Sequence, residues 1–304
     1  MDKILLEQRL NKIDRITSGP KFIRFLFNPL NYLYSIFYRK IFYKKNKKGL
    51  HVIANTFFDV KMHLELPSAT DIFIVGAKSH DSEIRLAKFM INNLNNAESF
   101  VDVGAHYGYF TLLGSRLVGE KGRVISFEAS PSTYKVLHKN SHMISNIKSY
   151  KLAVSDENSN LKFYEFPNLY SEYNTFEISQ FENQKWFKEY KPQEISIESV
   201  TLDKIIAELK LFPKLIKIDV EGAEFKVING VKSFLSMYSP FVVMEFLSEN
   251  RRNSQHHAAC KILESLGYLP HLIDKSGGLK KLESISQYLI DSRLDSDNIV
   301  FIKA

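Results

Sequence analysis

The chain has 304 residues, of which 44% are hydrophobic and 25% are charged, and it contains a single cysteine, Cys260. This composition is typical of a folded globular protein, and it excludes a disordered chain, a collagen-like chain and a multi-span membrane protein. A single thiol excludes an internal disulfide and a cysteine-rich zinc site, so we expect a reducing, cytoplasmic setting. The start has no apolar signal segment and no uncharged run reaches 18 residues, so we expect neither a secretory signal nor a transmembrane helix.

The formal net charge of +7 is concentrated at the amino end of the chain. Residues 1–48 contain twelve Lys or Arg against three Asp or Glu, whereas the remaining 256 residues contain 29 against 31. A nucleic-acid-binding protein usually spreads its basic charge over a folded face. The confinement of the charge to one segment therefore argues against a nucleic-acid partner.

The first predicted elements lie in the aromatic and basic stretch 22–43, which a run of lysines follows directly. Asn28-Pro29 interrupts this stretch because proline cannot continue a helix, so we expect two short amphipathic helices with aromatic faces. Two interpretations stay open for this amino-terminal arm, residues 1–50. Either it packs on the main domain or on a second copy of the chain, as in a homo-oligomer, or residues 20–48 lie peripherally on the anionic inner face of a membrane.

The segment 51–98 is predicted to lead into the main domain with β-structure and one helix. Alternating apolar residues over 51–76 predict strands, and the short run 72–76 is included in this prediction. Asp81 can cap a helix that extends to about Asn95. The apolar set of this helix is Ile84, Leu86, Ala87, Met90, Ile91 and Leu94.

From residue 99 the chain alternates strands with helices. Strands are predicted at 99–103, 123–127, 147–154, 215–218 and 241–245, and helices at 107–118, 131–142 and 222–231. Nearly continuous apolar strands indicate an α/β fold in which helices cover both faces of a parallel sheet. Residues 156–200 interrupt this alternation with polar and aromatic residues, and we expect this insertion to contact the substrate. The candidate substrate contacts are Tyr173, Asn174 and Thr175.

The turn after the strand at 99–103 has the strongest local signal for a ligand. Gly104 and Gly108 let the backbone approach a ligand closely and direct the amides of a helix N-terminus at it. A dinucleotide site uses the spacing G-x-G-x-x-G, whereas this turn has G-x-x-x-G. Asp102, two positions before Gly104, would repel a pyrophosphate. It suits a ligand with a cationic amino or sulfonium group, and S-adenosylmethionine has both.

Further acidic residues follow two other predicted strands. Glu128 ends the second parallel strand and can accept hydrogen bonds from both hydroxyls of a ribose, a feature that NAD sites share. Asp219, Glu221 and Glu224 crowd the turn after a later strand, at the edge where open α/β sheets bind ligands. Three neighbouring acids repel one another unless a cation, a metal ion or a hydrogen-bond donor stabilises them.

Six stretches together resemble the FkbM family of S-adenosylmethionine-dependent methyltransferases, in the family's order and over roughly residues 80–250. They read FVDVGAHYGYFTLL, VISFEASPSTYKVLHKN, KLAVSDENSNLKFYEF, VTLDKI, LIKIDVEGAEFKVINGV and PFVVMEF. The resemblance implies a class I methyltransferase (Rossmann-like) fold, with a seven-stranded, mostly parallel sheet whose last strand is reversed. Residues 51–304 would then form the methyltransferase domain that follows the arm.

The resemblance also implies roles for individual residues. The residues implied to bind the cofactor are Asp102, Gly104, Ala105, His106, Tyr107 and Gly108 in the first turn, Glu128 at the ribose, Ala153, Val154 and Asp156 beside the adenine, and Asp219 beside the methionine. His106 departs from the family, which more often has Asn at this position. It is either a general base or a polar residue that fills the turn.

Members of the family commonly methylate hydroxyls, so the resemblance implies an O-methyltransferase whose acceptor is a sugar or a glycan, such as a surface polysaccharide. An alcohol acceptor must lose a proton, and the candidate bases are Asp219, Glu221, Glu245, His106 and His142. A divalent ion held by Asp219 with Glu221 or Glu245 is an alternative, although no metal site is predicted. Other functions that stay open are methylation of RNA or protein, NAD(P)-dependent oxidoreduction and a catalytically inactive scaffold.

Overall fold

The computed structural model describes residues 2–251 and 253–303, with the Gln180 side chain outside the description. Within this range the strands form a two-stranded hairpin, a three-stranded sheet and a central eight-stranded sheet. The strands are β1 (Leu50–Asn55), β2 (Lys61–Leu66), β3 (Ser99–Val103), β4 (Arg123–Phe127), β5 (Ile147–Tyr150), β6 (Ala153–Val154), β7 (Asn160–Glu165), β8 (Gln193–Val200), β9 (Leu215–Ile218), β10 (Phe241–Leu247), β11 (Tyr268–Ile273), β12 (Leu279–Lys281) and β13 (Ser296–Lys303).

The central sheet has the strand order β12-β11-β13-β10-β9-β3-β4-β5. The strands from β10 to β5 run parallel to one another, whereas β13 is antiparallel to both β10 and β11. This arrangement confirms the predicted class I methyltransferase fold, with its mostly parallel sheet and reversed last strand. In the described part of the chain the sheet has eight strands rather than seven, because the short strand β12 pairs with the edge of β11.

Helices cover both faces of the central sheet, and a separate hydrophobic core lies on each side. Phe100 of β3 belongs to one core and Val101 to the other, as alternation along a strand requires. The helices in the described ranges are α1 (Lys3–Ser18), α2 (Lys21–Phe27), α3 (Pro29–Phe37), α4 (Lys44–Asn46), α5 (Thr70–Val75), α6 (Asp81–Asn93), α7 (Tyr109–Val118), α8 (Pro131–Ser141), α9 (Leu202–Leu209), α10 (Glu224–Asn229), α11 (Lys232–Met237), α12 (Ser254–Ser265) and α13 (Ile285–Ser292).

The predicted strands at 99–103, 123–127 and 215–218 coincide with β3, β4 and β9. The predicted strand at 147–154 is instead two strands, because β5 stays in the central sheet whereas β6 pairs with β8. Strand β8 also pairs with β7. The insertion, for which the sequence predicts no alternation of helices and strands, therefore contains an antiparallel pair of strands.

The run 72–76 lies in helix α5 and its cap, so the prediction of a strand there is wrong. Asp71 links the first turn of this helix to the segment that follows it, since its carboxylate accepts hydrogen bonds from the N–H groups of Ile72 and Ser79 at 2.8 and 2.9 Å. Gly76 ends the helix in the left-handed conformation, at a φ of +76°. A short apolar run fits a strand or a buried helix equally well, so periodicity could not separate the two.

The amino-terminal arm forms α1–α4, with a π-helical turn at Tyr38–Tyr43 before α4. Helix α1 packs along α6 and buries Leu6, Leu10 and Ile13. Asn28 separates α2 from α3, as predicted, and its side chain accepts a hydrogen bond from the Asn31 N–H at 3.3 Å. None of the helices in the described chain combines the length and the apolar character needed to cross a membrane.

Candidate active site

A cavity of about 320 Å³ opens at the carboxyl ends of the parallel strands. Loops at this edge are where open α/β sheets bind ligands. Most of the candidate residues line this cavity, and they come from the turns after β3, β4 and β9, from β6 and β10, and from the insertion. They are Gly104, Ala105, His106, Tyr107, Glu128, Ala153, Val154, Tyr173, Asn174, Asp219, Glu221 and Glu245.

Five candidate residues do not line the cavity: Asp102, Gly108, His142, Asp156 and Thr175. Asp102 and Thr175 are fully buried, and each supports a segment that lines the cavity. Asp156 accepts a hydrogen bond from Asn229 at 3.3 Å. His142 is exposed just after α8 and stacks on His138, outside the cavity. The prediction that His142 is a candidate base is therefore wrong.

Gly104 allows the turn after β3 to touch the turn after β9. It has a φ of +77°, and a Cβ at this position would lie 1.8 Å from the carbonyl oxygen of Asp219. The N–H groups of Gly104 and Ala105 donate to the carbonyl of Phe127 at 3.0 and 2.9 Å, which ties the turn to β4. Gly108, with a φ of +89°, precedes the first residue of α7. Glycine accepts these conformations without strain.

Glu128 lies directly after β4, and the backbone holds both of its carboxylate oxygens. Oε2 accepts a hydrogen bond from the His106 N–H at 2.8 Å, and Oε1 accepts one from the Ser130 N–H at 2.9 Å. Burial raises the pKa of Glu128 to about 7 in spite of these two hydrogen bonds. Since a carboxylate oxygen has two lone pairs, each oxygen can accept a further hydrogen bond from a ligand hydroxyl.

Lys217 is a buried cation at the site that the sequence analysis missed. The register of β3 and β9 places it opposite Asp102, and its Nζ lies 3.8 Å from Asp102 Oδ1 and 3.0 Å from Asp219 Oδ2. Burial opposes the charge on Lys217, but the two carboxylates outweigh burial and raise its pKa. Burial likewise opposes ionisation of Asp219, but Lys217 and Lys78 lower its pKa. The sequence signal was a lysine inside the otherwise apolar strand LIKI.

Asp219, Glu221 and Glu245 meet in the cavity. One carboxylate oxygen of each lies within 4.8 Å of the others, which would allow the three to bind one cation. Burial and the charge of Asp219 raise the pKa of Glu245 to about 7. Burial and the charge of Glu245 raise the pKa of Glu221 well above its usual range. The cluster thus places an ionised Asp219 beside a carboxyl group that titrates near neutral pH.

Lys78 is the centre of a second charged group that the sequence analysis missed. Its Nζ lies 3.3 Å from Glu83 Oε1 and 3.4 Å from Glu172 Oε1, and all three residues line the cavity. These carboxylates outweigh burial and raise the pKa of Lys78 well above its usual value. Lys78 and Glu83 precede the six stretches that resemble the FkbM family, and their spacing matches no motif. Only the tertiary structure brings them to the site.

His106 lines the cavity as a neutral imidazole. Its Nε2 lies 2.9 Å from Ser171 Oγ, and burial lowers its pKa to about 4. A general base works best with a pKa near the operating pH, so a group with this pKa is a weak base at neutral pH. Among the candidate bases the structure therefore favours Glu245 over His106.

One part of the cavity has an apolar lining, formed by Phe127, Leu152, Ala153, Val154, Phe163 and Phe176. Phe163 and Phe176 pack edge to face, with ring centroids 5.0 Å apart. Both belong to the insertion, and the sequence analysis did not single them out because this segment contains many aromatic residues. The apolar lining suits a heteroaromatic ring of a ligand.

A family model described as the methyltransferase FkbM domain matches residues 102–270, just over half of the chain. The chain belongs to the FkbM methyltransferase family. Among curated relatives, Methyltransferase 1 of Beauveria bassiana (strain ARSEF 2860) is 24% identical over 143 residues, which is 43% of this chain and 57% of that protein. Methyltransferase sdnD of Sordaria araneosa is 26% identical over 166 residues, which is 46% of this chain and 63% of that protein.

The chain thus spans less than two thirds of the length of these relatives. A solved structure, methyltransferase FkbM from Methylobacillus flagellatus KT, aligns at 14% identity with a TM-score of 0.42, over 74% of this chain and 56% of that chain. The FkbM match confirms the resemblance seen in the sequence. It includes the ends of β3, β4, β9 and β10, which line the cavity.

The residues of this FkbM-family site fit S-adenosylmethionine. Glu128 offers two acceptor oxygens for ribose hydroxyls, and the apolar part of the cavity lining, which includes Phe127 and Phe176, suits adenine. The ionised Asp219 suits the cationic amino and sulfonium groups. Asp102, in contrast, lies behind the turn, where Thr111 donates a hydrogen bond to it at 2.6 Å. Its place in the structure is that of a support for the turn and for α7.

Proposed function

We propose that the protein is an S-adenosylmethionine-dependent methyltransferase that methylates a hydroxyl of a sugar or glycan. The observation that carries this proposal is the carboxylate cluster of Asp219, Glu221 and Glu245 in the cavity, next to the glycine turn. A hydroxyl acceptor needs both a binding site among polar groups and a group that accepts its proton. The cluster provides both.

Each part of the cavity has a separate task in this proposal. Glu128 binds the ribose hydroxyls, the apolar lining binds the adenine, and Asp219 binds the cationic end. When bound, the cofactor supplies an electrophilic methyl group. The close contact between Gly104 and Asp219 keeps the two turns at a fixed distance from each other, which helps to orient the reacting groups.

Glu245 is the residue that we assign as the base. With a pKa of about 7 it is substantially ionised at neutral pH, and it takes the proton of the acceptor hydroxyl onto a carboxylate oxygen. The neighbouring Asp219 stays ionised beside Lys217 and is not needed as a proton acceptor. A divalent ion on Asp219, Glu221 and Glu245 is the alternative way to acidify the hydroxyl, and an assay with a chelator separates the two.

The acceptor class is inferred from the polar groups of the insertion and of its neighbours. Tyr173 and Asn174 line the cavity together with Lys78, Glu172 and Arg251. Among the described residues, Asn174 Nδ2 is buried and has no hydrogen-bond partner, whereas Asn174 Oδ1 accepts one from a backbone N–H at 2.7 Å. An unsatisfied donor beside an aromatic ring suits a polyol, whose hydroxyls accept hydrogen bonds and whose apolar face contacts the ring.

Calorimetric titration with S-adenosylhomocysteine tests the cofactor assignment, with NADH as the control ligand. We expect micromolar binding to the wild type, loss of binding in Gly104→Arg, and about tenfold weaker binding in Glu128→Gln, which removes one carboxylate oxygen as an acceptor. Circular dichroism checks that both variants are folded. Binding of NADH, or no binding of S-adenosylhomocysteine, would overturn the assignment.

A screen with radiolabelled S-adenosylmethionine tests the acceptor class with sugars and glycans, RNA, and protein substrates. We expect methyl transfer to a sugar or glycan hydroxyl, with a loss of about 10²–10⁴-fold in Glu245→Gln. Transfer to RNA or protein instead would contradict the acceptor class but not the methyltransferase function. Cofactor binding without transfer to any acceptor would favour a catalytically inactive scaffold.

A further inference from the structure

The amino-terminal arm exposes a large apolar surface. Between residues 22 and 42, all of which the structure describes, ten large apolar side chains have exposed fractions from 38% at Ile36 to 79% at Leu30. We call this set the outer arm face: Phe22, Leu26, Phe27, Leu30, Leu33, Tyr34, Ile36, Phe37, Ile41 and Phe42. Monomeric proteins rarely expose so many neighbouring apolar side chains unless another surface covers them.

The opposite side of the arm is attached to the domain, so the outer arm face has a fixed orientation. Asn28 Nδ2 donates to the carbonyl of Ile74 at 3.2 Å, and Asn31 Nδ2 donates to the carbonyl of Phe73 at 2.9 Å. Tyr38 and Tyr43 are buried in a small core with Leu66. The apolar side chains therefore remain exposed although the arm has already packed on its own domain.

The segment that carries the outer arm face contributes only basic charge. Exposed cations lie within and directly after it, at Lys21, Arg39, Lys40, Lys44, Lys45 and Lys48. Asp14 and Asp59 are consecutive acidic residues in the sequence, so the 44 residues between them contain no acid. Interfaces between proteins are depleted of lysine, whereas a surface that combines lysines with large apolar and aromatic side chains matches an anionic bilayer.

We propose that the outer arm face docks on the surface of an anionic phospholipid bilayer. The apolar side chains enter the boundary between headgroups and acyl chains, and the lysines contact lipid phosphates and carboxylates. The proposal is independent of the methyltransferase function, because no residue of the outer arm face lines the cavity.

The arm also contacts the wall of the cavity. Tyr43 Oη accepts a hydrogen bond from the Leu169 N–H at 2.8 Å, and the Tyr43 ring stacks on Tyr190. Lys47 forms an ion pair with Glu189. These partners belong to the insertion that contributes residues 171–174 to the cavity. Docking would therefore hold the acceptor side of the cavity close to the bilayer.

Co-sedimentation of the 304-residue chain with vesicles tests the proposal. We expect binding to phosphatidylcholine vesicles that contain phosphatidylserine, and much weaker binding to phosphatidylcholine alone. In K40Q/K44Q/K45Q the partition coefficient should fall roughly 100-fold, since each lysine near an anionic surface contributes about 1 kcal/mol. In F22S/L26S/L30S binding should be lost at every salt concentration.

Matched control variants separate docking from a general change of surface. M143S/M237S/I290S removes three exposed apolar side chains outside the arm, and K232Q/K280Q/K281Q removes three exposed lysines there. Both should bind as the wild type does, and circular dichroism checks that all variants are folded. Absence of binding to anionic vesicles, or equal binding to neutral ones, would overturn the proposal. So would a wild-type dimer in analytical ultracentrifugation that F22S/L26S/L30S converts to a monomer, because a second copy would then cover the face.

Discussion

Two lysines, the buried Lys217 and the partly buried Lys78, decide which carboxyl groups of the site are ionised. Lys217 lies 3.0 Å from Asp219 and, together with Lys78, lowers the pKa of Asp219. Glu245 lies near the same cluster, but burial and the charge of Asp219 dominate there and raise its pKa to about 7. Environments that separate the pKa values of neighbouring acids also separate their roles. In this site they give one fixed negative charge and one group that can exchange a proton.

The raised pKa of Glu245 makes the stability of the fold depend on pH. The folded-state pKa of about 7 lies above the usual value of 4.5, so between these limits the folded chain holds a proton that the unfolded chain has released. The contribution of Glu245 to the free energy of unfolding therefore decreases as the pH rises from about 4.5 to about 7. Glu245→Gln should remove this pH-dependent contribution. At pH 8 the free energy of unfolding of the variant should therefore exceed that of the wild type by on the order of 1 kcal/mol.

Urea denaturation of both proteins from pH 5 to pH 8 measures this difference. Glu128→Gln should remove a pH-dependent part of the same sign, because burial raises the pKa of Glu128 to about 7 as well. Its amide NH₂ would also face a backbone N–H donor, which adds a cost that does not change with pH. A difference between wild type and Glu245→Gln that is constant over this pH range would contradict the assignment.

At the scale of elements, the insertion is a compact unit that is fastened to the carboxylate cluster. The antiparallel pair of β7 and β8 extends the short strand β6, and Tyr170 stacks on Trp186 with ring centroids 4.0 Å apart. Thr175 is fully buried, and its hydroxyl donates to the carbonyl of Glu221 at 2.6 Å. This contact couples the position of the cavity-lining Tyr173 and Asn174 to the turn after β9.

Replacing Thr175 by valine should loosen the insertion locally. The variant leaves a buried carbonyl without this donor, so we expect a loss of about 1–3 kcal/mol in the free energy of unfolding. Trypsin should cleave several-fold faster at the exposed Lys185 and Lys188. Thr17→Val is the matched control, since Thr17 is buried in α1 and donates to the Ile13 carbonyl at 3.1 Å. Equal cleavage of the insertion in both variants would refute a local effect.

On the scale of the whole molecule, the amino-terminal arm is part of the structural core and also a surface element. Leu6, Leu10 and Ile13 of α1 belong to the larger hydrophobic cluster around α6 and α7. Lys88 of α6 forms an ion pair with Asp14 of α1 at 2.9 Å. Deletion of residues 1–48 would therefore expose part of the core, which makes point substitutions the better test of what the arm binds.

Leu10→Ala should destabilise the whole protein although it lies far from the cavity in the sequence. Leu10 is 0% exposed, and loss of such a side chain costs about 2–5 kcal/mol. Leu5→Ala is the control, because Leu5 is 41% exposed and its truncation should cost under about 1 kcal/mol. Urea denaturation of both variants compares the two costs. Equal small losses would show that α1 does not belong to the cooperative fold.

Several features of the fold and the site could be predicted from local sequence alone. Buried parallel strands are short apolar runs, so β3, β4 and β9 were predicted at their observed bounds. Glycines that a turn requires and acids near the ends of strands are also visible, and Gly104, Glu128, Asp219 and Glu245 line the cavity as expected. The run 72–76 was predicted wrongly, because a short apolar run fits a strand and a buried helix equally well.

The sequence by itself determined the order of the strands and helices, the turns that end at the cavity, the basic character of the arm and membership of the FkbM family. Tertiary structure decided which charges from distant segments meet. Lys78 and Glu83 are only five residues apart in the sequence, but Glu172 comes from the insertion to join them, and strand register places Lys217 opposite Asp102. Tertiary structure also decided the protonation state of Glu245 and the solvent exposure of the outer arm face. The physical reason is that apolar periodicity and turn chemistry are local properties of a chain, whereas electrostatic energies and solvent exposure depend on all the neighbours that folding brings together.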